Sequence, residues 1–349
     1  NSSLFYFLGK INPLLRTIKL PSELLNKKKH VFKFRIGSQI SLNEQNLFSD
    51  IKEYGNFLRM KTYTLGRRIK KKKYSFLGAV EEKIVAEVSS KLICSDVDKL
   101  SDDNLLFKLE NYMVFHAKAP AIPNVLKEIG RLREITYREV GEGTGKKTDI
   151  DKYDSWYNHL FIWDDDALCI VGAYRMGKGK ELFAHDGIKG FYLQSLFKFS
   201  EFFFPILEKS IELGRSFIRK EYQRKTLSLF LLWKGILYFL IKHPEYRYLI
   251  GPVSISDAFS DFSKGLIVEF LKANCIDPDL TPHVTPRRNF EYNLADHIDV
   301  DVFLKYIEND INRLDKFIHD VEPEQRIPVL FKKYIKRNAR VVGFNVDPK

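Results

Sequence analysis

LREITYREVGEGTGKKTDIDKYDSWYNHLFIWDDDALCIVGAYR, residues 132–175, is the stretch on which the fold turns. Its helical part begins upstream at Pro123, because a first-turn proline lacks only an N–H that would have no helical partner there. Val125, Ile129, Leu132 and Ile135 or Thr136 then recur at helical spacing, which predicts an amphipathic helix of about four turns. Glu134 and Arg138 fall four apart and read as a solvated surface pair, worth roughly 0.2–0.5 kcal/mol. Gly141, Gly143 and Gly145 stop this helix and open a polar loop through Asp154. Strands are predicted at 159–163 and 169–175, with the acidic turn Asp164, Asp165 and Asp166 between them.

Outward from this segment, ELGRSF at 212–217 adds Glu212 and Arg215. Ile206, Leu207, Ile211 and Leu213 or Phe217 lie near helical spacing, so 205–218 reads as a helix with Glu212 and Arg215 on neighbouring faces. The apolar run 227–241 is broken by Lys234 and Gly235 and is shorter than the ~20 residues that span a bilayer, so it reads as a core helix. A buried strand is predicted at 248–255, a helix after Asp261, a polar loop at 278–289 and an amphipathic helix at 299–318. A helix at 327–338 and a strand at 340–346 close the pattern. RMGKGK at 175–180 is neither a Walker motif nor GxGxxG and reads as a hairpin turn. The fold class is α/β, a central mixed sheet flanked by helices.

Arg133, the glycine-rich stop, Asp151-x-x-Asp154, Arg175 at the end of its strand and Glu212-x-x-Arg215 form an ordered set of charged residues. This set resembles the motifs shared by acyl-homoserine-lactone synthases and the hemolysin-like N-acyltransferases that make ornithine and glycine lipids, both of the GNAT-type acyltransferase fold. REVGEGT, HLFIWD, GRSFI, YQRK and LLWKGI are closer to the aminolipid enzymes. Lactone synthases carry a tryptophan where this chain has Gly143, which points the same way. The resemblance implies transfer of a fatty acyl group, usually 3-hydroxyacyl, from acyl carrier protein to the α-amino group of an amino acid such as ornithine or glycine. The alternatives are a lactone-synthase-like enzyme and a non-catalytic basic fragment that associates with membranes.

An α-amine titrates near pH 8 and attacks only when deprotonated, so a carboxylate is wanted beside it. Glu212 or Asp151 is the candidate base or amine-orienting group. Arg133, Arg175 and Arg215 suit scaffold or anion contacts, because a guanidinium grips a carboxylate with two bonds. Asp154 and Arg175 are equally readable as a buried ion-pair network that organises the site. His159 and Asp164 formally satisfy the His-x4-Asp motif of glycerophosphate-type acyltransferases, but five residues apart on a strand they point to opposite faces. His159 is therefore read as structural, with lining of the acyl site as its minor alternative. No metal site and no tightly bound cofactor are expected; the acyl-phosphopantetheine of the carrier protein serves as co-substrate. The chain lacks the RxxGxG loop of GNAT enzymes that use acetyl-CoA, which favours that donor.

The 349 residues can bury a large core, and a net charge of +12 calls for an anionic partner. Acyl carrier protein and the anionic inner face of the plasma membrane both qualify, with the protein cytoplasmic and peripheral there. Nucleic acid does not, because no aromatic interleaving, zinc spacing or helix-turn-helix cue accompanies the densest basic run, within 65–74. Cys94, Cys169 and Cys275 are too few and too widely spaced for a disulfide framework. Residues 1–60 resemble the C-terminal tail of a glycerophosphate-type O-acyltransferase domain without its catalytic block, a remnant of an α/β domain that would include a strand at 30–37. A basic linker at 61–79 and the GNAT-like domain at 80–349 follow, and a further strand is expected beyond the last residue.

Overall fold

The computed structural model describes residues 2–25, 31, 34–66, 81–294 and 298–347. By packing, the chain divides into residues 1–39 and residues 40–349. In the first unit, α1 (Ser3–Ile11) and α2 (Pro13–Leu25) pack on each other. Ser2 caps α1 by accepting from the Phe5 N–H at 3.3 Å, and its own N–H donates to Glu23 at 2.7 Å. Of the strand expected at 30–37, residues 30, 32 and 33 lie outside the described residues, and 31 and 34–37 are not strand.

The second unit opens with α3 (Leu42–Gln45) and α4 (Ile51–Gly66), followed after the basic run by α5 (Ser90–Val97). Residues 67–80, which hold nearly all of that run, lie outside the described residues. Next come β1 (Leu105–Leu109), β2 (Tyr112–Lys118), α6 (Pro123–Glu139), β3 (Asn158–Asp164) and β4 (Cys169–Lys178). α7 (Gly179–Asp186), β5 (Phe197–Phe199), α8 (Phe204–Glu208), β6 (Ser210–Ile218) and α9 (Thr226–Lys242) continue the chain. It ends with β7 (Tyr248–Ile250), α10 (Asp261–Asn274), β8 (Val284–Pro286), α11 (Val300–Ile307), α12 (Ile311–Val321) and α13 (Val329–Lys336).

Among the described residues, six strands form one mixed sheet in the order β1-β2-β3-β4-β6-β7, antiparallel except for the parallel pair β6–β7. α5 and α6 cover one face through Ile93, Ile129, Phe161, Trp163 and Ala173. α9 covers the other through Leu160, Ile162, Val171, Met176 and Leu231. Burial on both faces explains why every residue of β3 is buried and why the strand does not alternate apolar with polar. α4 and α10 to α13 form a separate helical cluster around Phe57, Phe270, Phe303 and Phe317.

Two details shape the site. At Gly130 on α6, an added Cβ would lie 2.4 Å from Ile150 and 2.6 Å from the Thr148 hydroxyl, so only glycine lets the acidic loop lie against the helix. Between β4 and β6 the register shifts, with Ala173 opposite Phe217 but Arg175 opposite Gly214. This bulge holds Arg215 at φ +50°, a conformation that L side chains seldom adopt. Beyond Glu212 no β7 residue lies opposite β6, because residues 251–256 depart toward the end of α6, where Ser256 donates to the Val140 carbonyl at 2.8 Å.

Several expectations are corrected. Residues 205–218 hold a short helix and then strand β6; the apolar positions that mimic helical spacing divide between them, Ile206 and Leu207 in α8 and Ile211, Leu213 and Phe217 in β6. The strand predicted at 248–255 is three residues long, with Tyr248 and Leu249 exposed. The helix at 299–318 is broken by left-handed residues Glu308 and Asn309. Residues 340–346 form a single bridge, from Val341 to Ile276. RMGKGK is no hairpin turn: it completes β4 and enters α7, and its glycines clear Tyr157 and the Leu207 carbonyl. Glu134 is fully buried rather than solvated, accepting from Arg138, the Thr144 hydroxyl and the N–H groups of Thr144 and Gly145.

Candidate active site

The helix, the acidic loop and the hairpin bring their charged residues to one point beside the open stretch of β6. Arg133, on the inner face of α6, donates to Asp154 at 2.7 Å, and both are buried. Asp154 also accepts from the Asp151 N–H at 2.8 Å, while Asp151 accepts from the Tyr153 N–H at 2.9 Å. This reciprocal capping fixes the 3-10 turn Lys152–Ser155. Arg175, on β4, reaches Asp151 at 2.6 Å and Asp154 at 3.4 Å. Burial alone would raise the Asp154 carboxyl, yet Arg133 and Arg175 outweigh it and hold it well below the usual carboxylate range.

His159 lies opposite Arg175 across the β3–β4 pair, and its Nε2 sits 2.9 Å from the Asp154 carbonyl. Burial, reinforced by Arg133, lowers the imidazole pKa to about 4, so it is neutral near pH 7. Asp164 is occupied elsewhere, with Tyr222, Asn111 and the turn N–H groups of Asp166 and Ala167, so the His-x4-Asp pair is not a unit.

The two candidate bases occupy different environments. Glu212 is 1 % exposed, and its carboxylate accepts from the Tyr157 hydroxyl at 2.5 Å, the Leu193 N–H at 2.8 Å and the Tyr192 N–H at 3.1 Å. Burial pushes this carboxyl up against those hydrogen bonds. Asp151 keeps 27 % of its side chain exposed. Arg215, 17 % exposed, stands 3.3 Å from Asp149 and 3.7 Å from Asp151.

The sequence set therefore converges. Arg133, Asp154, Arg175 and His159 form the buried base of the cluster, while Asp151 and Arg215 lie at its accessible rim. Glu212 is set apart in the clamp on residues 192–193. Sequence reasoning passed over Asp149, which is buried against Arg215, and three tyrosines. The Arg175 guanidinium lies 5.2 to 5.6 Å from the ring centres of Tyr157, Tyr192 and Tyr153, and Arg215 lies 5.7 Å from Tyr192. The signal for two of them was the i,i+4 spacing of Tyr153 and Tyr157 around Asp154. Gly143 packs against Arg138, with an added Cβ only 2.5 Å from its Cγ, so no larger side chain fits there.

The mixed sheet, its parting parallel pair and the charged cluster on the covering helix and loop describe an acyltransferase of the GNAT type. The acetyltransferase (GNAT) domain family matches residues 132–234, which include Arg133, the acidic loop, β3, β4, β6 and the first half of α9. The chain is 30% identical over 279 residues to a glycine N(alpha)-acyltransferase of Phocaeicola vulgatus, covering 76% of this chain and 78% of that protein. It is also 30% identical over 280 residues to a glycine N(alpha)-acyltransferase of Bacteroides thetaiotaomicron, covering 76% of each. The chain belongs to the family of these acyltransferases. No solved structure matches it.

Proposed function

We propose that the protein transfers a fatty acyl group from the phosphopantetheine thioester of acyl carrier protein to the α-amine of an amino acid such as glycine or ornithine, forming an aminolipid precursor. The observation that carries this reading is the accessible pair Asp151 and Arg215 beside the open stretch of β6, on a chain whose relatives are glycine acyltransferases. Arg215 receives the carboxylate of the amino acid. Asp151, directly or through water, takes the proton from its ammonium. The amine nitrogen bonds to the thioester carbon, and backbone N–H groups on the unpaired side of β6 steady the oxygen that gathers charge. The nitrogen gives up its second proton to water, the C–S bond breaks and the thiolate leaves, protonated from the Asp151 carboxyl. Arg133, Arg175 and Asp154 hold Asp151 in place, and His159 closes the buried side of that network.

A carrier-borne thioester is favoured over a CoA thioester because the segment that joins β6 to α9 lacks the RxxGxG loop of GNAT enzymes that use acetyl-CoA. No helix is long and apolar enough to cross a membrane among the described residues. The net positive charge favours peripheral work at the anionic inner face of the plasma membrane, where an acylated amino acid would partition. The test is to offer 3-hydroxyacyl carrier protein with glycine, ornithine, lysine and serine in turn and to identify products by mass spectrometry. An N-acyl amino acid with one thiol released per amide supports the proposal. Thiol release without amide, across the whole panel, contradicts it.

A further inference from the structure

α9 does two jobs. Leu231, Leu232, Ile236 and Phe239 face the sheet and are buried. On its other side Phe230, Leu237 and Ile241 are 55, 55 and 67 % exposed, in one stripe at helical spacing with Tyr238 and Lys234. Lys234 lays its ammonium 4.6 Å from the Phe107 ring and 5.6 Å from Tyr238, so its stem runs along this stripe. α13 packs beside it, the Tyr334 ring lying tilted 5.5 Å from Trp233, and Arg337 lies 5.9 Å from the same indole. α13 adds exposed Val329 to the apolar surface and exposed Lys333, Lys336 and Arg337 to the charge. Neither helix contains an aspartate or glutamate.

We infer that the outer face of α9 and α13 is where the protein lies on an anionic lipid bilayer, with Phe230, Leu237, Ile241 and Val329 entering the interface and Lys234, Lys333, Lys336 and Arg337 meeting the headgroups. A helix of this kind lies in the membrane plane when one face is apolar and its flanks are cationic. Each cation near an anionic surface adds attraction that salt weakens. A bilayer meets the cations and the apolar stripe together, headgroups beside acyl chains, and needs no partner surface shaped to this face. The inference deepens the membrane reading proposed above and does not depend on the acyl-transfer chemistry.

The test is co-sedimentation of the full chain with vesicles of phosphatidylcholine alone or mixed with phosphatidylglycerol, at low and high salt. The parent protein binds the anionic vesicles, and less so as salt rises. Phe230→Ser/Leu237→Ser/Ile241→Ser, three changes at exposed positions, lowers that binding at least about tenfold while thermal melting stays near the parental value. Lys333→Glu/Lys336→Glu/Arg337→Glu lowers it and flattens the salt dependence. Brominated lipids quench tryptophan emission in the parent, and Trp233→Phe removes most of that quenching. Parental binding by the triple serine variant, or equal quenching without Trp233, overturns the face while leaving the membrane reading standing. No vesicle binding by the parent overturns both. If the charge-reversal variant binds vesicles normally but loses only transfer from carrier-borne donor, the face docks the carrier and the inference is overturned. A parent dimer that the serine changes convert to monomer overturns it too.

Discussion

Glu212 gives the sharpest test of how the site divides its labour. Its carboxylate is encased, and it holds the Tyr157 hydroxyl and the N–H groups of Tyr192 and Leu193. Replacing it with alanine strands the Tyr157 hydroxyl and the Leu193 N–H, at about 1–3 kcal/mol each, or about 2–6 kcal/mol together. That is a large part of the about 5–15 kcal/mol that holds a typical domain folded. Glutamine keeps the shape: its oxygen can accept from Leu193, its amide can donate to the Tyr157 oxygen, and the Tyr192 N–H already reaches that hydroxyl at 3.0 Å. Glu212→Gln should therefore cost only about 1 kcal/mol. It should also keep at least a tenth of parental kcat, roughly, because a group that orients the Tyr192 wall need not carry a proton. Thermal melting and a steady-state thiol-release assay on both variants read these two quantities. A Glu212→Gln protein that melts like the parent but has lost about 100-fold or more of its turnover refutes the reasoning and returns the proton to Glu212.

Gly130→Ala pushes the acidic loop off α6 by crowding Ile150 and Thr148, at about 1–3 kcal/mol, and should both lower the melting temperature and raise the amino-acid KM several-fold; thermal melting and an amino-acid titration of the variant check this. Glu44 links α3 to the C-terminal helices through Tyr306 at 2.9 Å and Lys316 at 3.0 Å. Burial would raise its carboxyl, but the Ser41 N–H, Lys316 and Tyr306 bring it to about 2. A depressed acid stabilises the fold above its ordinary pKa of 4.5 and loses that share as pH falls toward 2, so Glu44→Gln should flatten the acid limb of a stability–pH curve in that window.

The helix, acidic loop and hairpin were legible because α6 has a one-sided apolar stripe and ends at glycines. β6 was misread because it follows α8 directly, so that Ile206 and Leu207 of the helix run on into Ile211 and Leu213 of the strand, and because the bulge moves Phe217 from their α9 face to the α6 face and breaks the alternation there. The glutamate at 134 looked solvated because spacing alone cannot show that a glycine-rich loop folds back over a helix. The convergence of Arg133, Asp151, Asp154, Arg175 and Arg215 was implied by resemblance, but the separation of Glu212 from Asp151 was not. That separation depends on Tyr157 and on residues 192–193, and their approach to Glu212 is set by tertiary packing and by no local pattern. The break at Glu308 and Asn309 was invisible for a similar reason, since neither residue is a glycine or proline.

The central claim is that Asp151, at the exposed rim, deprotonates the amine that attacks the thioester. The most direct measurement is single-turnover acyl transfer by Asp151→Asn, with amide product counted by mass spectrometry and folding checked by melting. Asparagine keeps an oxygen for the Tyr153 N–H but cannot take a proton. The account predicts a folded protein whose transfer rate is at least about 100-fold below the parent, with part of the loss recovered at high pH where the amine is already free. Transfer within about threefold of the parent at neutral pH would contradict it.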